Sequence, residues 1–143
     1  MHDAPEDPLP HGLRALGAAG VLPFAMLPLL ATLQPSLRAF ALAAFVAYGA
    51  VILSFLGGSR WGRALAGGAP ASRPLEAVLP SLLGFAALLL AHRPVPALAL
   101  LSVGFCMWCW LDLRDPLWSP AYRRMRLAIS AVVMPLHAAW LWI

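Results

Sequence analysis

Long apolar runs separated by short polar intervals set the pattern of this chain. Five runs stand out: Leu13 to Leu33, Leu37 to Gly57, Leu75 to Ala91, Val95 to Leu113 and Arg126 to Ile143. A helix needs roughly 20 apolar residues, with about 17 as a practical minimum, to cross a hydrocarbon core about 30 Å thick. The runs therefore predict an all-α, polytopic membrane helix bundle with five transmembrane helices (13–33, 37–57, 75–91, 95–113, 126–143). A short N-terminal tail, residues 1–12, precedes a single helical domain, residues 13–143. Pro74 stands at the entrance of the third and shortest run, where a missing N–H costs nothing. Glu76, two residues on, favours the positive end of the same helix dipole.

The connections alternate in a way that charge can test. Residues 34–36 and 92–94 form tight connections, whereas 58–74 and 112–125 form long ones that share a side with the N-terminus if there are five crossings. That side collects Arg14, Arg60, Arg63, Arg73, Arg114, Arg123, Arg124 and Arg126, leaving Arg38 and Arg93 opposite. The positive-inside rule then puts the N-terminus in the cytoplasm (or matrix) and the C-terminus outside. Such a bias disfavours dimers whose subunits insert in both directions, and the sequence has no internal repeat, so any homo-oligomer should be co-oriented.

Composition narrows the class further. Hydrophobic residues make up 62% of the 143 and charged residues 11%, against roughly a quarter charged in soluble domains, so most of the surface must face lipid. The net charge is +4 and every basic residue is an arginine. These arginines flank the apolar runs instead of forming a continuous stripe, which points to anionic head groups on the cytoplasmic side as partners and away from nucleic acid. The first run lacks a small-residue cleavage site followed by a polar segment, and reads as a retained helix. The opening residues hold Asp3, Glu6 and Asp7, unlike a transit peptide, so the expected location is a bacterial inner (plasma) membrane.

The second run places Ala39, Ala43, Ala47, Ala50, Ser54 and Gly57 at spacings of three and four, a stripe of small side chains that lets another helix approach closely. Packing within the bundle is the simpler use of it, a homodimer face the other. The stripe leads into Gly57-Gly58-Ser59-Arg60-Trp61-Gly62-Arg63. Glycines there free backbone N–H groups for an anion-binding nest, with Arg60 and Arg63 adding charge for a phosphate or lipid head group. Alternatively Arg60, Trp61 and Arg63 anchor the chain at head-group level. No Walker-type lysine or Rossmann context accompanies the glycines, so nucleotide binding has little support.

The stretch Tyr48-Gly49-Ala50-Val51-Ile52-Leu53-Ser54-Phe55-Leu56-Gly57-Gly58-Ser59-Arg60-Trp61-Gly62 closely resembles the signature of a family of bacterial and mitochondrial multi-pass membrane proteins known only as domain of unknown function 3429. A second similarity lies in Asp112 and in Ser119-Pro120-Ala121-Tyr122-Arg123-Arg124-Met125-Arg126-Leu127-Ala128-Ile129-Ser130. There Ala121 replaces an aromatic of the family pattern, Met125 a leucine and Ser130 a threonine. The resemblance covers nearly the whole chain after Gly12. It implies a helical membrane protein without an assigned activity and carries over no catalytic residues.

The remaining chemistry is sparse. Cys106 and Cys109 lie one helical turn apart, the spacing of redox and metal motifs, yet sit within an apolar run before Trp110, where buried thiols pack as small hydrophobes. Zinc would need two more ligands, so no metal or cofactor is expected. His137 is an ionisable group inside a membrane run, and Pro135 beside it frees the carbonyl of Ala131. A proton relay is one reading; a neutral imidazole bonded to a freed carbonyl, or to a hydroxyl such as Thr32 or Ser102, is the other. Pro23, Pro28 and Pro80 bend two further helices. Asp112 and Asp115 lie near four arginines, Arg114, Arg123, Arg124 and Arg126, where ion pairing is the default and a divalent metal the less supported alternative.

Two functional classes follow. One is a non-enzymatic scaffold or assembly component that works by helix packing and an arginine-rich cytoplasmic face, with a protein partner or a co-oriented copy. The other is a small transporter or lipid-handling protein with a pocket between bent helices that includes His137. An enzyme lacks a nucleophile and base pair, a zinc signature and a dense acidic site.

Overall fold

The computed structural model describes residues 10–66 and 73–143. Expectations for the first nine residues, for 67–72 and for the Arg73 side chain lie outside the described residues. Among those described, the chain is all α-helical: α1 (His11–Ala19), α2 (Leu22–Leu33), a 3-10 turn (Pro35–Leu37), α3 (Arg38–Leu65), α4 (Arg73–Leu89), α5 (Pro94–Arg114) and α6 (Pro120–Ala139). Three stretches are long and apolar enough to cross a membrane: His11–Leu33, Pro35–Leu65 and Pro94–Arg114. The apolar part of α4, Leu75–Leu89, is shorter, and α6 carries Arg123, Arg124 and Arg126 in its first two turns.

Four boundaries differ from the sequence reading, each for a physical reason. The first run is two helices, because Pro23 has no N–H for the Ala19 carbonyl and its ring crowds that turn. The break leaves the Gly20 carbonyl to the Tyr48 hydroxyl, which donates to it at 2.9 Å from α3. The second helix does not stop at Gly57 but continues through Gly58 and Gly62 to Leu65. The last helix starts at Pro120, six residues before Arg126, with Ser119 as N-cap accepting from the Tyr122 N–H at 3.2 Å and proline in the first turn, where it suits a helix start. It ends at Ala139, so Trp140 to Ile143 lie beyond it. The supposed long connection 112–125 shrinks to residues 115–119.

Helix α3 is the centre of the bundle, packed on α2, α4 and α5, while α6 closes the other side against α5 and α2. Phe24, Phe45, Val46, Leu53, Leu101, Phe105 and Trp108 fill the interior. Glycines set the close approach of α3 and α4. A Cβ at Gly57 would overlap the Ala77 carbonyl oxygen, and one at Gly84 would come within 2.9 Å of the Ala50 carbonyl oxygen. The small-residue stripe is thus divided. Ala50 and Gly57 are buried against α4, Ser54 and Ala47 are half-buried, and Ala39 and Ala43 are exposed. Outward positions stay apolar, with Leu16, Phe55 and Leu65 each about 70% exposed, as a lipid-facing surface requires.

Candidate functional site

Helix ends meet where the charges are. Arg60 and Arg63 occupy the last turns of α3, Glu76 the first turn of α4, Asp112 the last turn of α5, Asp115 its C-cap, and Arg126 the second turn of α6. Arg60 donates through Nη2 to Asp112 Oδ1 at 2.9 Å and through Nη1 to Glu76 Oε2 at 3.0 Å, with Asp115 Oδ2 at 3.7 Å. Arg126 Nε donates to the other Asp112 oxygen, Oδ2, at 2.9 Å. Arg63 pairs with Asp115, whose Oδ1 also accepts the Leu117 N–H at 3.0 Å and so turns the chain from α5 toward α6.

One carboxylate therefore joins two arginines, and the network ties α3, α4, α5 and α6 together. The side chains of Arg60, Asp112, Asp115 and Arg126 are only 3–7% exposed, while Glu76 is 35% exposed. Taking such ions out of water is costly unless each finds an opposite charge with good hydrogen-bond geometry, which the pairing supplies. The sequence holds six carboxylates, of which Asp3, Glu6 and Asp7 precede the helices; the other three all belong to this network. Arg63 also lies over the Trp118 ring, 3.7 Å from its centroid, and Trp118 stacks on Tyr122 at 4.1 Å. The cation is thereby held between a carboxylate and an aromatic face.

The glycine nest expected at Gly57, Gly58, Ser59, Arg60 and Arg63 is not formed. These residues are helical, so their N–H groups are spent on the preceding turns, and the Ser59 hydroxyl donates to the Leu56 carbonyl at 2.7 Å. Arg60, read from sequence as a phosphate ligand or interfacial anchor, is buried and taken by carboxylates. Trp61, the next residue, is exposed, as an interfacial anchor would be. Asp112 and Arg126, singled out together, do meet. Glu76, read only as a dipole partner, is the member the sequence did not reveal; its position in a first turn facing an arginine sixteen residues earlier was the available signal.

His137 lies away from this network, buried 2% exposed among Phe24, Phe45 and Phe105 at centroid distances of 5.5, 4.8 and 5.4 Å. Its Nδ1 is 3.0 Å from the Val133 carbonyl of its own helix. A carbonyl only accepts, so Nδ1 carries the proton of this contact. Nε2 has no partner among the described residues. The expected hydroxyl partners are not used: Thr32 donates instead to the Leu29 carbonyl at 2.8 Å. Cys109 is buried and Cys106 exposed, its sulfur 3.8 Å from that of Met134; both are free thiols. No group of three or more His, Cys, Asp or Glu able to hold a metal occurs among the described residues.

A cavity of about 340 Å³ lies between α1, α2, α3 and α6. Its walls are mostly apolar, and Ser59, Trp118, Tyr122 and Arg126 line the part next to the ion-pair network. Phe24, Phe105 and Val133 line it as well, whereas His137, behind them, does not.

The sequence profile of a family described as "Protein of unknown function (DUF3429)" matches residues 9–142. Transmembrane protein 69 of Xenopus tropicalis is 35% identical over 137 residues, covering 93% of this chain and 52% of that protein. The chain thus spans about half the length of this curated relative. No solved structure matches.

Proposed function

From the premise that the chain belongs to the DUF3429 family of proteins of unknown function, whose relatives include a transmembrane protein, we propose that it is a non-enzymatic structural component of the membrane that acts by association with a partner. The observation that carries this reading is the ion-pair network. Its buried carboxylates each answer an arginine on a different helix, a use of charge that fixes helix positions and leaves little for chemistry. A translocation path would instead need polar groups lining a passage to mid-depth, and the cavity described above is walled mostly by apolar side chains, with Arg126, Trp118 and Tyr122 at the network end.

On this reading α1 with α2, then α3, α4, α5 and α6, make five crossings of a bacterial inner membrane, with the network on the cytoplasmic side and the C-terminus outside. Support comes from Arg14, Arg114 and Arg124, exposed at the network end, where anionic head groups would gather, against Arg38 and Arg93 at the other. The exposed part of the small-residue stripe, Ala39 and Ala43, is the face offered to a protein partner or a co-oriented copy. Cross-linking in native membranes followed by purification in mild detergent tests the proposal. A stoichiometric partner linked through α3 is the expected result, and a chain recovered alone and monomeric overturns it. Reporter fusions at both ends should report opposite faces; the same face would refute the odd number of crossings.

A further inference from the structure

Helix α1 is a wall with one tight seam. It has no buried residue of its own and rests on α6, where Gly17 lets the two helices close up: a Cβ there would come within 3.2 Å of Met125 Sδ and 3.3 Å of Ile129 Cδ1. The side toward α3 is different. Leu16 of α1 and Phe55 of α3 both line the cavity and are both about 70% exposed, so the space behind them opens between the two helices onto the apolar outer surface. Farther along, the Tyr48 hydroxyl on the Gly20 carbonyl ties the first run to α3 at the helix break.

The cavity behind this slit is long and apolar. Its lining on α6 runs from Tyr122 to Met134, about 18 Å at 1.5 Å per residue. One leaflet's half of a hydrocarbon core about 30 Å thick is roughly 15 Å. At about 340 Å³ the cavity is more than twice the roughly 150 Å³ of an apolar cavity that takes benzene, which scales to about a dozen carbons. Trp118 and Tyr122 stand at the network end, and Ile52, Phe105, Ile129 and Met134 line the rest, with the Ser130 hydroxyl among them.

Water does not suit such walls, because a buried water needs about two to four polar partners. A partner helix, about 10–12 Å across with its side chains, is too wide for the volume. Left empty, the space would forfeit the dispersion contacts of its wall atoms. A hydrocarbon tail matches the length and the walls, and in a bilayer it is already the medium at the mouth.

We propose that this cavity holds one acyl tail of a phospholipid from the leaflet at the network end, inserted through the slit between Leu16 and Phe55. The second tail stays in the bilayer, and the head group lies outside, beside the exposed Arg14 in the first turn of α1. A phosphate meets a guanidinium there at the membrane surface; the buried Arg126 takes no part in holding it. The site is independent of whether the protein assembles with a partner.

The test uses the full chain in nanodiscs of phosphatidylcholine with a small share of the same lipid carrying a diazirine midway along one hexadecanoyl tail, and maps the adducts to residues. Insertion puts adducts on Ile129 and Met134, half-buried on the cavity side of α6. Bulk lipid labels the exposed Phe85 and Val103 in any case, so they serve as the reference. Ser130→Phe on α6 and Ile52→Phe on α3 fill the cavity from two walls outside the ion-pair network. In either folded variant the adducts on Ile129 and Met134 should be lost while those on Phe85 and Val103 remain, and Arg14→Gln should lower the cavity share. Adducts confined to outward-facing residues overturn the proposal, as do cavity adducts that survive both fillings or an Arg14→Gln variant that labels like the parent. So does displacement of the tagged phospholipid by an equal concentration of hexadecanoic acid, which would mark a fatty-acid site, or a second copy cross-linked through Leu16 and Phe55 and shutting the slit.

Discussion

Asp112→Asn is the substitution that most directly interrogates the network. The carboxylate places one oxygen on Arg60 and the other on Arg126, each at 2.9 Å. An amide of the same shape offers a single acceptor, so one guanidinium must then face an NH2 group. Arg60 retains Glu76 at 3.0 Å, whereas Arg126 is paired with Asp112 itself; the amide should turn its oxygen to Arg126. A buried charge that loses its partner costs about 3–5 kcal/mol, and the retained contact weakens because bonds to charged acceptors contribute about 1.5–3 kcal/mol against about 0.5–1.5 for neutral ones. Glu76 lessens the first term, so we expect destabilisation of about 3–4 kcal/mol. Arg126→Gln leaves Asp112 with Arg60 and should lose only about 1–2 kcal/mol. Glu76→Gln, at a side chain 35% exposed, should stay within about 1 kcal/mol. Reversible unfolding in mixed detergent and sodium dodecyl sulfate micelles, followed by tryptophan emission, reads all three. The reasoning is refuted if Asp112→Asn falls within about 1 kcal/mol of the parent or if Glu76→Gln costs as much.

Further expectations concern the helices themselves. Gly57→Ala should destabilise by about 1–3 kcal/mol through overpacking, whereas Gly58→Ala, which meets nothing within 4 Å, should stabilise by about 0.5–1 kcal/mol as a helix interior; the same unfolding assay would reveal a phosphate-type nest instead if Gly58→Ala proved the damaging one. Tyr48→Phe removes the hydroxyl from the Gly20 carbonyl and should cost about 1 kcal/mol, with amide exchange rising selectively around residues 19–24. His137→Leu deletes a bond to a carbonyl of its own helix, and should leave the unfolding midpoint within about 1 kcal/mol; loss of a measured cellular function without loss of stability would revive the proton relay.

Legibility of the fold varied with what each signal depended on. The α5 boundaries were read to within a residue, 95–113 against Pro94–Arg114, because flanking prolines, arginine and acid are local cues. Two glycines in succession at Gly57 and Gly58 suggested a loop, since each costs a helix about 1 kcal/mol relative to alanine. What outweighs that cost is the approach of α4, a tertiary fact that no window of residues contains. Arg123 and Arg124 were read as loop charges, while in the structure they decorate the first turns of α6. The candidate site was half visible. Asp112 and Arg126 were flagged within one segment, but Arg60 comes from 52 residues earlier and its partnership with Glu76 emerges only when α3 and α4 lie side by side.

The distance in sequence between Arg60 and Asp112 has a bearing on biogenesis. At translation rates of roughly 5–20 residues per second, the guanidinium emerges about 3–10 s before its main carboxylate is even synthesised. Throughout that interval it must be kept wet, which its place in the final turns of a 28-residue helix permits. Burial of the arginine is consequently a late step, deferred until α5 has been made, and a nascent chain arrested short of Asp112 should leave this residue open to arginine-directed proteases.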